Sequence, residues 1–454
     1  MIEKIHIYHT NDLHSHFENW PRISRFLSER KRQHEVAGEE VIFLDLGDFV
    51  DKWHPLTEGS KGKASVPLLN EVGYDAVTIG NNEGITFSHE ELDTMYKEAQ
   101  FDVVVANLYT KKGQRPKWVK PYIKKKLKSG FTFAIIGITA YYEHFYQLLG
   151  WKMTPPLDEL KKVLDDITDV DGIILMSHLG IRDDEWIATE HEVIDVLLGG
   201  HTHHLLPNGK VIHQSLLGAA GKYGYYIGHV QLSIDTSTNT IVNKTATVYK
   251  TEDLEEKKQD QKLINDWMEQ GKSLLNKEVV KLKNGLKGDW FNPSPLTQLL
   301  CDAIHHWTKA DCTFINSGLV LGDLPQGSIT QYHIHSLLPH PINPCAVTLT
   351  GAELKEVIKQ SLNPELPQLQ LKGLGFRGQV MGNIVYKGIT IGESINDLSI
   401  NGEKIELHRE YRLGTTDMFT FGHFFPELKR AKKTYYMPEF IRDVFSWELK
   451  KHHS

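Results

Sequence analysis

Read as apolar and polar positions, the first half of the chain is a series of short apolar runs, each ending in a polar cluster. Ile5 to His9 leads into Thr10-Asn11-Asp12-Leu13-His14-Ser15-His16, and Val41 to Leu46 closes on Gly47-Asp48. Ala76 to Ile79 runs into Gly80-Asn81-Asn82-Glu83-Gly84, and Val103 to Ala106 into Asn107. Phe133 to Ile138 is a further run; Gly172 to Met176 ends at Ser177-His178, and Val193 to Leu198 at Gly199-Gly200-His201-Thr202-His203. Apolar runs this short match internal strands, while Arg22 to Arg32 and Glu90 to Ala99 between them carry helical spacing. The pattern predicts an α/β layered core with mostly buried strands. Ligands on open α/β sheets bind beyond the C-terminal ends of strands, where these polar clusters fall.

From about Lys250 the texture changes. Thr251 to Leu275 is rich in Glu, Lys, Asp and Gln with apolar residues at helical spacing, which predicts a long solvated helix. After Lys277 a second unit begins, with a helix over Pro295 to Trp307, a strand over Cys312 to Asn316, and Gly-rich turns. A length of 454 residues suits more than one domain. The expected division is residues 1–248, a linker helix over 249–278, and a second domain over 279–454.

Composition narrows the class. Hydrophobic residues at 40% and charged residues at 24% are ordinary for a globular protein. The net charge of −7 gives no footing for nucleic acid or an acidic membrane surface as partner. Cys301, Cys312 and Cys345 are too few for a disulfide framework and form no Cys-x-x-Cys. No apolar stretch is long enough to span a bilayer, and Met1 to His9 enters a strand pattern without a leader-like run. The expected location is the cytoplasm.

The strand-end groups then stand out: Asp12, His14, Asp48, Asn81, His178, His201 and His203. Imidazole with carboxylate oxygen suits Zn, Mn, Fe, Co or Ni better than Ca or Cu(I). Seven such groups exceed the needs of one ion. Two divalent metal ions about 3.5–4 Å apart, bridged by one carboxylate, would use them all, activating water and clamping a tetrahedral phosphate. In the loop Gly199 to His203, alternation along an extended segment would send the two imidazoles to opposite sides of one point.

Asp12-Leu13-His14, Gly47-Asp48, Gly80-Asn81-Asn82-Glu83, Ser177-His178 and Gly200-His201-Thr202-His203 resemble, in order, the motifs of the calcineurin-like metallophosphoesterases. His9 to His14, Ala106-Asn107 and Lys222-Tyr223-Gly224 resemble the 5′-nucleotidase branch in particular. So do Asn316-Ser317-Gly318, Thr350 to Leu354 and Tyr411-Arg412-Leu413 in the second unit. The resemblance implies a four-layer α/β/β/α catalytic domain, followed by a smaller α+β substrate-binding domain that swings about the linker helix. It also implies that Asp12, His14 and His203 hold one ion and Asn81, His178 and His201 the other, with Asp48 bridging. The implied activity is hydrolysis of a phosphate ester or pyrophosphate bond in a nucleotide-like small molecule.

Two departures from the family pattern matter. The usual Asn-His-Glu reads Asn81-Asn82-Glu83, and Ile85 stands where an aspartate would orient the missing histidine. Asn82 can donate a hydrogen bond to a phosphoryl oxygen but cannot deliver a proton at neutral pH. Either the substrate carries a better leaving group, or another group, His16 or His144, protonates the departing oxygen. A protein that binds metal and nucleotide with little turnover, or metals that only knit the domains, are the competing expectations. In the second unit the arginine expected after Asn-x-Gly is absent, since Asn316 to Leu321 is apolar. Arg377 is the candidate replacement, with Asn316, Phe376 and Phe419 as the other expected substrate contacts.

Overall fold

The computed structural model describes residues 1–453, which divide into two compact units, Met1–Gly271 and a second from Lys272 onward. In the first unit, a seven-stranded sheet runs in the order Thr240–Lys250, Tyr226–Asp235, Ile2–Thr10, Glu40–Asp45, Ala76–Val77, Asp102–Val104, Val119–Lys120. A six-stranded sheet runs Lys210–Ile212, Ser215–Gly218, Val196–Gly199, Gly172–His178, Thr132–Thr139, Tyr122–Lys126. Side-chain parity explains the layering, because successive residues of a strand face opposite ways. Ile5, Ile7, Ile42 and Leu44 of one sheet meet Phe133, Ile135, Ile174, Met176, Val196 and Leu198 of the other in one core. The alternate residues Ala134, Ile136, Ile173, Leu175 and Leu197 pack outward with Leu160, Val163, Ile187 and Ala188, which belong to the helices Pro156–Asp166 and Ile181–Glu190. Both faces of the central strands Thr132–Thr139, Gly172–His178 and Val196–Gly199 are buried, which is why those runs are continuously apolar. The result is the expected α/β/β/α sandwich.

The two edge strands Tyr226–Asp235 and Thr240–Lys250 form a hairpin that the apolar-run pattern did not predict. The second of them alternates exposed and half-buried positions, so it carries no buried run. The linker region is a short 3-10 turn, Thr251–Asp253, and a helix, Lys258–Leu274, and that helix is docked on the first unit. Arg25 donates to both carboxylate oxygens of Asp260, at 2.8 and 2.9 Å, and Trp267 lies edge-on to Phe17 at 5.9 Å. A Cβ on Gly271 would meet the backbone nitrogen of Leu56 at 2.3 Å, so only glycine allows that approach.

The second unit is built on a five-stranded sheet in the order Ile384–Lys387, Cys312–Asn316, Glu410–Thr416, Pro344–Thr350, Lys432–Tyr435. Its helices include Pro295–Thr308, close to the expected span, Gly351–Ser361 and Ile441–His453. Its core runs from Leu296, Leu300 and Ile304 to Phe314, Phe419, Phe425 and Phe445. Among the described residues no helix is long and apolar enough to cross a membrane.

Candidate metal centre

The polar clusters converge because the strand-end loops are stitched to one another by backbone hydrogen bonds. Asp12 N–H donates to the Gly47 carbonyl at 3.0 Å, His14 N–H to that of Asp48 at 2.8 Å, and Gly200 N–H to that of Ser177 at 2.9 Å. Asp12, His14, Asp48, His201 and His203 all have left-handed backbones, with φ between 49° and 72°. Non-glycine residues reach that region at a cost of about 1–3 kcal/mol each and keep it only where the surroundings impose it, often at functional sites. The glycines supply the room. A Cβ on Gly80 would lie 2.0 Å from Asp48 Oδ1, and one on Gly200 3.0 Å from Asp12 Oδ2.

Two groups of donor atoms result, Asp12–His14–His203 and Asp48–His178–His201. In the first, His14 Nε2 is 3.2 Å from His203 Nε2, and Asp12 Oδ1 is 3.7 and 3.5 Å from these nitrogens. In the second, His178 Nε2 is 3.4 Å from Asp48 Oδ2. The groups touch, since His14 Nε2 is 3.7 Å from Asp48 Oδ2 and His178 Nε2 is 4.0 Å from Asp12 Oδ1. His201 and His203 are thus divided between the groups as expected, but not by alternation along a strand. Their φ values of 72° and 58° show a tight turn that separates the rings.

The electrostatics favour positive charge at the centre. Burial alone would depress His178, but Asp48 and then Asp12 outweigh it and push it up to about 9. Burial opposes ionisation of Asp12 as well, yet hydrogen bonds from His14 and His203 hold it well below the usual carboxylate range. Burial and the neighbouring His178 lower His201 to about 4, so at neutral pH it is a neutral imidazole with one ring nitrogen free to donate a lone pair. Two polar atoms of the set are buried without a hydrogen-bond partner, His178 Nε2 and Asn81 Oδ1. Orphaned donor atoms beside two carboxylates are what a cation would satisfy, so the residues fit divalent metal.

Several supporting residues carried no role in the sequence reading. Glu83 is buried and accepts the amides of Gly80 at 2.8 Å, Asp48 at 2.9 Å and Val50 at 3.2 Å, fixing two strand-end loops at once. Its position in the Asn-Asn-Glu motif was the available signal. Asp51 Oδ2 lies 3.4 Å from His14 Nδ1, and His178 Nδ1 donates to the Leu46 carbonyl at 2.7 Å. Such partners hold a ligand imidazole in one tautomer with its other nitrogen turned inward. Asn11 Nδ2 donates to Asp12 Oδ2 at 2.8 Å. At the rim, the Tyr223 ring stands 5.8 Å from His14 and the Tyr142 ring 6.1 Å from His201.

The remaining expected residues are placed unevenly. Asn82 enters the site, its backbone N–H donating to Asp48 Oδ1 at 2.7 Å and its Nδ2 to Asp48 Oδ2 at 2.8 Å. The His16 ring lies tilted against Tyr223 at 3.9 Å, with Nδ1 2.7 Å from Glu18 Oε1, and so belongs to the rim. His144 is exposed on the helix Glu143–Leu148. In the second unit Asn316 is fully buried and donates to the Met381 carbonyl at 2.9 Å, a structural bond. Phe376 is buried, stacked on His340 at 5.1 Å, while Arg377 is half-buried beside it and bonds the Phe376 carbonyl. Phe419 needs correcting as a base-stacking residue. It is 0% exposed, wedged between Phe314, Phe424 and Phe425 at 5.2 to 5.9 Å, and offers no open face.

The model of the calcineurin-like phosphoesterases matches residues 5–205, and that of the 5′-nucleotidase C-terminal domain matches residues 278–426. The metallophosphoesterase YunD of Bacillus subtilis, itself described as uncharacterized, is 42% identical over 99% of this chain and 100% of its own length. A 5′-nucleotidase of Rattus norvegicus is 23% identical over 79% of this chain and 71% of its own. The NAD nucleotidase of Haemophilus influenzae shares the fold at 16% identity and a TM-score of 0.68, covering 100% of this chain and 97% of its own. Calcineurin-like metallophosphoesterases use divalent metals, and they and the 5′-nucleotidases are hydrolases of phosphoester bonds. The chain belongs to the 5′-nucleotidase branch of the calcineurin-like metallophosphoesterases.

Proposed function

We propose that this protein is a two-metal phosphoesterase acting on a phosphate ester or pyrophosphate bond of a nucleotide-like substrate. Asp12, His14 and His203 would hold one ion, Asn81, His178 and His201 the other, and Asp48 both. The ions, from the Mn, Zn, Fe, Co and Ni group, would supply an activated water and charge neutralisation for the phosphoryl group. The observation that carries this reading is the convergence of six side chains from four loops, with buried, unpartnered atoms at His178 Nε2 and, on the adjoining loop, Asn81 Oδ1.

The chain's own residues set the rest of the chemistry. Asn82 can orient Asp48 and offer an amide N–H to a phosphoryl oxygen, but it cannot protonate a leaving group. A positioned acid is worth about 10²–10⁴ in rate, so the preferred bond is one whose leaving group needs none, such as a pyrophosphate. His16 on the rim is the candidate proton donor for poorer leaving groups, and Arg377 with Phe376 the candidate substrate contacts of the second unit. The three cysteines are free and buried, which fits a reducing compartment such as the cytoplasm.

The test is hydrolysis of bis-p-nitrophenyl phosphate and p-nitrophenyl phosphate with Mn(II), then a panel of nucleoside monophosphates, cyclic nucleotides and nucleotide-sugars. Turnover abolished by Asp48→Asn supports the proposal. Full metal content with no turnover of any ester supports instead a nucleotide-binding protein, the reading that the missing histidine at position 82 favours.

A further inference from the structure

A second constellation of donor atoms lies on the first unit, away from the candidate centre. His6 and Tyr8 lie on one face of the strand Ile2–Thr10, opposite the face whose Ile5 and Ile7 fill the inter-sheet core. His229 sits in register with Tyr8 on the neighbouring strand, its ring stacked on Tyr8 at 4.3 Å. The helix Trp20–Ala37 brings His34 over this face in its last turn, and the left-handed Gly38 turns the chain so that Glu39 comes back to meet it. His6 Nε2 and His34 Nδ1 each lie 3.0 Å from the same oxygen, Glu39 Oε2. His6 lies six residues before Asp12 along an extended strand, roughly 20 Å at the usual strand rise.

We propose that His6 Nε2, His34 Nδ1 and Glu39 form a further metal site, for a divalent ion of the Zn, Co or Ni type, with solvent completing the coordination. Two imidazoles and one carboxylate are a common donor set for Zn in a partly open site. Each imidazole already has a partner on its outer nitrogen. His6 Nδ1 is 3.0 Å from His229 Nε2, and His34 Nε2 is 3.0 Å from the Tyr8 hydroxyl. This is the second shell that holds metal-ligating histidines. Both partners can either donate or accept, so each ligand imidazole can shift its proton outward and turn a lone pair inward. With His6 Nδ1–H donating to His229 and His34 Nε2–H donating to Tyr8, no proton leaves the network. Entry is from solvent past Glu39, whose side chain is 27% exposed, while His6 is 5% exposed and anchors the floor. A bound ion would tie the end of the helix, the start of the strand Glu40–Asp45 and the strand Ile2–Thr10 together.

The test is the metal count of the full-length protein. The chelator-stripped protein is titrated with Co(II), and bound equivalents are compared among wild type, His34→Ala and Glu39→Ala. The expected result is one equivalent fewer in each variant, with hydrolysis of bis-p-nitrophenyl phosphate kept near wild type. This difference stands whatever the count at the candidate centre. Equal metal counts in wild type and both variants overturn the proposal. Should a variant fail to fold, the anomalous map of a Zn(II)-soaked wild-type crystal decides. A peak at about 2.0–2.2 Å from His6 Nε2, His34 Nδ1 and a Glu39 oxygen supports the site, and its absence there refutes it.

Discussion

Gly80→Ala isolates the geometry of the candidate centre from the stability of the fold. Gly80 has φ −99° and ψ −168°, an extended conformation open to alanine, so the substitution carries no backbone strain. The added methyl would lie 2.0 Å from Asp48 Oδ1 and 2.6 Å from His178 Cε1. Ordinary contact begins near 3.4 Å, so the Asp48 carboxylate must retreat by more than an ångström or the loop must shift. Overpacking of this kind costs about 1–3 kcal/mol in stability. A misplacement of about 1 Å in a catalytic array costs roughly 10²-fold in rate. The expected outcome is at least that loss of kcat with Mn(II), together with substoichiometric metal and a modest fall in Tm. Gly38→Ala is the control, because Gly38 has φ +73° with nothing within 4 Å of a new Cβ. It should lower Tm through left-handed strain of about 1–2 kcal/mol yet keep full turnover. Wild-type metal content and turnover in Gly80→Ala would refute the reasoning.

Further outcomes follow from other parts of the structure. Glu83→Gln replaces an acceptor oxygen that holds backbone amides, stranding a buried N–H at about 1–3 kcal/mol, and should lower both Tm and metal affinity. Phe419→Ala should destabilise the second unit by about 3–5 kcal/mol in a denaturant titration, with KM for any nucleotide unchanged near neutral pH and low temperature. Asp184 is raised by burial from 3.8 to about 8, so the folded state holds a proton that the unfolded chain releases. Stability from this group is present at low pH and is lost as pH rises from about 4 towards 8. Asp184→Asn should therefore flatten the fall of Tm between pH 5 and pH 8.5; an unchanged slope would contradict the assignment.

The candidate ligands were legible because each sits at the end of an apolar run, and because a strand buried on both faces leaves little else for a polar group there to do. What escaped the sequence depends on contacts between segments far apart in the chain. Glu83 acts through three amides on two loops, and Asp51 matters only because the loop after Asp48 is bonded to the one carrying His14. The helix Lys258–Leu274 reads as a solvated linker from its charge, yet Arg25 and Phe17 dock it on the first unit. Phe419 shows the limit most plainly. In the run Asp417 to Phe424 every aromatic has the same local signature, and only the packing of Phe314 and Phe425 settles which ring is core.

The central claim is that Asp48 is shared by two ions with three further ligands each. Anomalous diffraction from a crystal loaded with Mn(II), recorded at the manganese edge, measures this directly. The account predicts one peak among Asp12, His14 and His203, a second among Asn81, His178 and His201, and Asp48 between the two. A single peak, or peaks remote from Asp48, would contradict it.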